Sequence, residues 1–308
     1  MRKAKQSPVG RFAPTPSGRM HLGNVWAALL SWLSARSQGG AWILRMEDLD
    51  TQRTGESYAQ QIREDLLWLG LTWDEETPAQ STRSAVYQQY FDILDRQNLL
   101  YPCFCSRSQL HSVNAPHLSD GTYVYPGTCR DLTAKERASF GRNGAWRLRG
   151  PDEIWSFSDL CQGHYQQNLA AECGDFVLRR ADGVYVYQLA VTVDDALSGV
   201  TEVVRGADLL SSTPRQMYLQ TLFGFPHPTY GHIPMLLSVD GRRLSKRDRD
   251  MDLGQLQLHI APEALIGHLA TAAGLLDKPE PISAKELSCI FSWDKVKKQD
   301  ITLSLFEA

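Results

Sequence analysis

A chain of 308 residues, 43% hydrophobic and 22% charged, has apolar content for a sizeable core and length for more than one domain, which excludes a disordered or fibrous protein. A formal net charge of −3 and a pI near 6.2 exclude a general polyanion binder, so contact with nucleic acid has to come from local basic patches. No run approaches the length of a membrane span, no apolar stretch follows Arg2, Lys3 and Lys5, and six unevenly placed cysteines are too few for a disulfide framework, so a cytoplasmic protein with no membrane partner is expected.

The first element is a β-compatible opening, Arg11 to Ala13, broken by Pro14 and Pro16 and turned by Ser17 and Gly18. A long apolar-periodic segment follows His21. Strand, loop and helix in that order point backbone N–H groups and the positive end of a helix dipole at whatever lies over the loop, a natural place for phosphate. Gly23 permits close backbone approach, and His21 can bond a phosphate oxygen. An ordinary βα connection would carry the same residues. Val25 to Ser37 reads as a helix stopped by Gly39-Gly40, and Ala41 to Met46 as a buried strand that delivers Glu47 and Asp48 at its C-terminal end. In open parallel sheets that edge binds ligands, although carboxylates there also serve as caps.

Helices fit Thr54 to Leu69 and Ser84 to Gln97, whose aromatic stripes read as core. Cys103, Cys105 and Cys129 cluster in a way that suggests a metal, with free thiols as the alternative. Three cysteines leave a tetrahedral site one ligand short; His111, His117, Tyr123 and Tyr125 are the candidates, and coordination chemistry alone favours a histidine. Gly144 to Ala181 is expected to be mostly β. Tyr185 to Val193 alternates and is expected to be a central strand ending at Asp194 and Asp195. A strand over Met235 to Val239 precedes the basic run Gly241 to Arg247, and a helical tail follows, with apolar patches broken by Gly254, Pro262, Gly267 and Gly274.

Several of these stretches resemble one family. His21-Leu22-Gly23-Asn24 resembles the HIGH signature of class I aminoacyl-tRNA synthetases, with Asn24 in place of the final His, and the flanking RFAPTPSG resembles the glutamyl branch. LRMEDLDTQR, the cysteine pattern followed by Y-x-x-x-C, and the run from Tyr187 to Gln216 resemble that branch too. RLSKR resembles its KMSKS loop, with Arg243 standing for the first lysine, Lys246 for the second, and Arg247 departing from the last serine.

The resemblance implies a Rossmann-like doubly wound parallel sheet split by a zinc-bearing insertion, with a small C-terminal helical subdomain. It places the first half of the catalytic domain at 1–100, the insertion at 101–183, the second half at 184–250 and the helical part at 251–308. It implies a glutamate site of Arg11, Ala13, Thr15, Glu47, Tyr187 and Arg205, in which Glu47 faces the α-ammonium and Arg11, Tyr187 and Arg205 hold the γ-carboxylate. ATP falls to His21, Gly23, Asn24, Arg243, Ser245 and Lys246, with catalytic roles for His21 and Lys246 and Mg²⁺ beside the nucleotide. Structural zinc falls to Cys103, Cys105, Tyr125 and Cys129.

The implied reaction is activation of glutamate to glutamyl-adenylate without RNA. The chain ends at Ala308 with no room for an anticodon-binding region. That matches the truncated branch, expected as a monomer, whose members transfer glutamate to queuosine in the anticodon loop of tRNA(Asp). The basic run around Arg242 to Arg249 suits RNA phosphates. Other acceptors remain open: a small metabolite, for a glutamate ligase or nucleotidyltransferase, or tRNA(Glu); a catalytically idle RNA-binding paralogue is a further alternative.

Overall fold

The structure is a computed structural model that describes residues 7–106, 109–110, 124–238, 241–242 and 252–302. The chain opens with β1 (Val9–Phe12), α1 (Leu22–Ser37), β2 (Ala41–Arg45), α2 (Glu56–Trp68) and β3 (Glu75–Thr77). Both later strands join in parallel, β2 on β1 with Phe12 opposite Leu44, and β3 on β2 with Arg45 opposite Thr77. Helix α1 is apolar on nearly every side because it is covered on nearly every side, burying Leu22, Val25, Trp26, Leu29, Leu30 and Leu33. Its stop has two separate causes. Gly39 takes a left-handed φ of 66°, and any Cβ on Gly40 would lie 2.3 Å from the carbonyl oxygen of Pro8.

After α3 (Ser84–Arg96) the chain turns antiparallel. Strands β4 (Leu100–Cys103), β5 (Ala145–Leu148) and β8 (Phe176–Arg179) form one sheet in the order β4-β5-β8. Between them come α4 (Ala134–Ser139), the hairpin β6 (Ile154–Asp159) and β7 (Gly163–Asn168), and the short α5 (Leu169–Glu172). The expected strand over Tyr185 to Val193 is instead the N-terminal part of α6 (Tyr187–Leu197). Its residues Leu189 to Asp195 are all buried, and the β-branched run Val191 to Val193 with its alternation masks the helical spacing of the polar residues Gln188, Thr192 and Asp195.

A second parallel pair follows, β9 (Glu202–Gly206) and β10 (Thr229–Ile233), joined by α7 (Thr213–Phe223). It adjoins the first sheet: Thr201 N donates to the carbonyl of Val9 at 3.0 Å. The expected strand at Met235 to Val239 is reduced to β11 (Leu236–Leu237), and Val239 lies outside the described residues. The tail holds α8 (Leu253–Leu256), α9 (Pro262–Ala273), α10 (Ala284–Ile290) and β12 (Ile301–Thr302), the last parallel to β11. Gly254 and Gly267 lie inside α8 and α9 rather than between them. Gly267 is there because the carbonyl oxygen of Glu280 would sit 2.0 Å from its Cβ. Gly274 does end α9, at a left-handed φ of 89°. No helix of the described residues is long and apolar enough to cross a membrane.

Candidate active site

The loop from Ala13 to Met20 leads into α1 through His21, which is its N-cap. The His21 ring folds back so that Nδ1 accepts from Gly23 N at 3.1 Å, and Asn24 Oδ1 accepts from His21 N at 3.2 Å. This capping box explains two residues at once. Gly23 is needed because a Cβ would come within 2.9 Å of the His21 ring, and Asn24, in place of the motif's final His, supplies the return bond. With Nδ1 accepting, the proton of a neutral ring sits on Nε2. Leu253 N donates to Met20 O at 3.0 Å and Asp252 bridges to His21, so the residue that follows the basic run returns to this loop. Arg243, Ser245 and Lys246 themselves lie outside the described residues, as do His111, His117 and Tyr123.

Beside the loop is a cleft of about 460 Å³ whose walls include Arg11, Ala13, Thr15, Asn24, Glu47, Tyr187 and Arg205. Strand β1 brings Arg11, the end of β2 brings Glu47, the first turn of α6 brings Tyr187, and β9 brings Arg205. Residues separated by nearly two hundred positions therefore line one space.

Two buried networks fix them. In the first, Asp195 on α6 receives Arg11 Nε at 3.4 Å and Arg45 Nη1 at 2.7 Å, and Arg45 Nη2 reaches Glu47 Oε1 at 3.1 Å. Burial raises the Glu47 carboxyl, with Arg45 and Arg11 opposing it, whereas at Asp195 the two cations outweigh burial and hold the group low. Glu47 shares the Arg45 guanidinium with Asp195 and lines the cleft, which suits it to a further cation from a ligand.

In the second network Arg205 donates to Tyr187 OH at 3.2 Å through Nη1, to Thr213 Oγ1 at 2.6 Å through Nη2, and to His232 Nε2 at 3.0 Å through Nε. His232 is completely buried on β10, and its Nδ1 lies 2.6 Å from Asp159 Oδ2. A guanidinium can only donate, so Nε2 must accept and the ring proton sits on Nδ1, donated to Asp159. Burial, reinforced by the charge of Arg205, pushes His232 down to about 4 against the pull of Asp159, which keeps the ring neutral. Arg45, Asp195, His232 and Asp159 were not singled out as site residues by sequence. Only the Asp194-Asp195 pair and the position of Arg45 inside LRMEDLDTQR pointed at any of them.

A separate cluster lies at the end of β4. The Sγ atoms of Cys103, Cys105 and Cys129 all fall within 4.8 Å of one another, with Cys105 and Cys129 3.6 Å apart. A tetrahedral ion with metal–sulfur bonds of about 2.3 Å separates its sulfurs by about 3.8 Å, so the trio fits. The Tyr125 hydroxyl oxygen lies 3.3 Å from Cys103 Sγ and 3.8 Å from Cys105 Sγ and accepts from Cys129 N at 2.8 Å. Arg147 stacks 3.7 Å from the Tyr125 ring centroid; burial raises the Cys103 thiol, but the charge of Arg147 together with hydrogen bonds from Tyr125, Arg147 and the Cys105 backbone more than offsets it, so the thiol is lowered. These groups could hold a divalent ion.

Parallel strands, a histidine-capped helix beside an acidic strand end, and a cleft with paired guanidiniums define the catalytic domain of a class I aminoacyl-tRNA synthetase, a ligase that uses ATP. Residues 9–298 match the family model of the class I tRNA synthetase catalytic domain of the E and Q type. A glutamyl-Q tRNA(Asp) synthetase of Symbiobacterium thermophilum is 46% identical, across 96% of this chain and 95% of that one, and one of Thiobacillus denitrificans is 49% identical across 78% of each. The chain superposes with a TM-score of 0.82 on a glutamate tRNA ligase of Elizabethkingia meningosepticum, at 28% identity, covering 97% of this chain and 67% of that one. The chain belongs to the class I tRNA synthetases of the E and Q type, and within them to the family of the glutamyl-Q tRNA(Asp) synthetases.

Proposed function

We propose that the protein activates glutamate with ATP in the absence of RNA and transfers it to queuosine in the anticodon loop of tRNA(Asp). The observation that carries the first half is the joint placement of Glu47, Arg11, Tyr187 and Arg205 around one cleft beside the N-terminus of α1. Glu47 receives the α-ammonium. Arg11 and Arg205, with the Tyr187 hydroxyl, receive the γ-carboxylate, which a buried site must neutralise. Ala13 and Thr15 shape the backbone wall between them. The nucleotide lies over the capping box of His21 and Asn24, where the helix N-terminus and the protonated Nε2 of His21 face its phosphates.

An oxygen of the glutamate α-carboxylate attacks the α-phosphorus in line, the bond to the β-phosphate bridging oxygen breaks, and pyrophosphate leaves. Arg243 and Lys246 neutralise its growing charge while the Ser245 hydroxyl can donate a hydrogen bond to it, and Mg²⁺, when bound with the nucleotide, would supply further positive charge. A hydroxyl oxygen of the acceptor then attacks the acyl carbon, the bond to the AMP oxygen breaks, and the hydroxyl proton leaves with AMP. The relatives named for tRNA(Asp) support the acceptor assignment.

The fold reading is a doubly wound catalytic domain at 1–100 and 184–250, split by an insertion at 101–183 and followed by a helical part at 251–308. The insertion carries structural zinc on Cys103, Cys105, Cys129 and Tyr125; the phenol oxygen beside the thiols supports Tyr125 as fourth ligand. The protein acts as a cytoplasmic monomer, which sedimentation would show as one 34.6 kDa species. Glutamate-dependent exchange of pyrophosphate into ATP tests the activation step. Exchange with glutamate alone among glutamate, glutamine and aspartate is expected; preference for either of the others overturns the γ-carboxylate pocket.

A further inference from the structure

The cleft does not end at Glu47. A smaller pocket of about 270 Å³ adjoins it, and the two share Thr15, Glu47 and Tyr187 as walls. Leu49, Val184 and Val186 make most of its lining surface apolar, Asp50 and Gln80 add polar groups beside Glu47, and the exposed Arg180 is part of its wall. The same Arg180 lines a third pocket that also contains Arg142, Arg179 and Trp146. A mostly apolar chamber off the reactive site thus opens, through one arginine, onto a basic and aromatic surface of an otherwise acidic chain.

We infer that this adjoining pocket receives the acceptor nucleoside of a single-stranded RNA loop, and that Arg180 and its neighbours take the flanking phosphates. The inference deepens the function proposed above and rests on it. The acyl carbon of the adenylate is bonded to the carbon that bears the ammonium held by Glu47, so an attacking hydroxyl must come to about 3–3.5 Å of a point beside Glu47. Glutamate and ATP fill the larger cleft. This pocket borders Glu47 from another side. Its chemistry suits an unstacked base, which proteins take from RNA loops onto apolar and aromatic walls while basic side chains hold the backbone.

Arg180 can make the exchange. Its present partner is Asp182, at 2.6 Å, and both side chains are half exposed, so the pair contributes little and yields readily to a phosphate. Arg179 is different, since its guanidinium lies 4.3 Å from the Phe91 ring centroid and donates to Gln88. It contributes positive potential from a fixed place.

The test uses the full chain with Leu49→Trp, which fills the pocket, and Arg180→Glu, which reverses the charge at its wall. Neither residue lines the glutamate cleft. Pyrophosphate exchange with glutamate is measured beside transfer of labelled glutamate to tRNA(Asp) carrying queuosine. Exchange is expected to stay at the wild-type level in both, which also reports that they fold. Transfer is expected to fall about tenfold or more in Leu49→Trp, and Arg180→Glu should raise the KM for tRNA and flatten its salt dependence. Wild-type transfer in both variants overturns the inference alone. Exchange and transfer falling together also overturns it, because the pocket then belongs to glutamate activation. If the wild type exchanges pyrophosphate but labels no queuosine-bearing tRNA, the acceptor assignment fails and takes this pocket's role with it.

Discussion

Removing the Nε2 acceptor of His232 should weaken glutamate binding without touching the phosphates. In the folded protein Arg205 is aimed at the cleft by three bonds to side chains, those of Tyr187, Thr213 and His232, and a longer one of 3.5 Å to the Leu209 carbonyl. His232→Asn places an amide near the position of Nδ1, within reach of Asp159, and leaves nothing at Nε2. His232→Gln can bring a carbonyl oxygen to about the position of Nε2 and restore the bond to Arg205 Nε. A hydrogen bond to a charged group contributes about 1.5–3 kcal/mol. Because the bonds to Tyr187, Thr213 and the Leu209 carbonyl survive, the low end applies, ~1.5 kcal/mol, or about tenfold in the KM for glutamate. In pyrophosphate exchange, His232→Asn should show that rise with kcat nearly unchanged, the signature of lost uniform binding, and His232→Gln should recover most of it. A wild-type KM in His232→Asn, or a larger defect in His232→Gln than in His232→Asn, would refute the claim that His232 positions Arg205.

Three further expectations follow from the same structure. His232 is held at about 4, below its usual value near 6.5, so as pH falls through that window the unfolded chain takes up a proton that the folded chain refuses and stability declines; thermal unfolding against pH should show this slope, and His232→Gln should make it shallower. Gly267→Ala should lower Tm more than Gly254→Ala, because the new methyl meets the backbone carbonyl of Glu280 at 2.0 Å in the first case and the movable guanidinium of Arg19 at 2.2 Å in the second; differential scanning calorimetry that ranks them the other way contradicts the packing account. Metal analysis should find one zinc per chain, lost in Cys105→Ser and weakened in Tyr125→Phe but retained in His117→Ala; the reverse result for the last two assigns the fourth ligand to histidine.

The sequence displayed what is local. Strand, loop and helix around His21, the acidic end of β2 and the cysteine spacing are each contained in a few dozen residues, and each stands near where periodicity and turn residues placed it. What it hid is of two kinds. Helix α6 is buried from Leu189 to Asp195, and the β-branched Val191, Thr192 and Val193 in an alternating stretch read as strand. The other kind is long-range pairing. Asp195 joins Arg11 and Arg45, and Asp194 joins Gln80, Arg83 and Tyr87, across separations of more than a hundred residues. No spacing rule announces such partners. The role of Gly23 also changed: its lack of a side chain makes room for the His21 ring, a requirement internal to the cap.

The account turns on what the adenylate is made for. Labelled glutamate should be offered, with ATP and the purified protein, to tRNA(Asp) from cells that make queuosine, to tRNA(Asp) from cells that do not, and to tRNA(Glu). Labelling of the first alone, weakening as salt rises, is the predicted result. Equal labelling of both tRNA(Asp) preparations, or labelling of tRNA(Glu), would contradict it, and glutamate activation with no RNA labelled at all would assign the enzyme to a small-molecule acceptor.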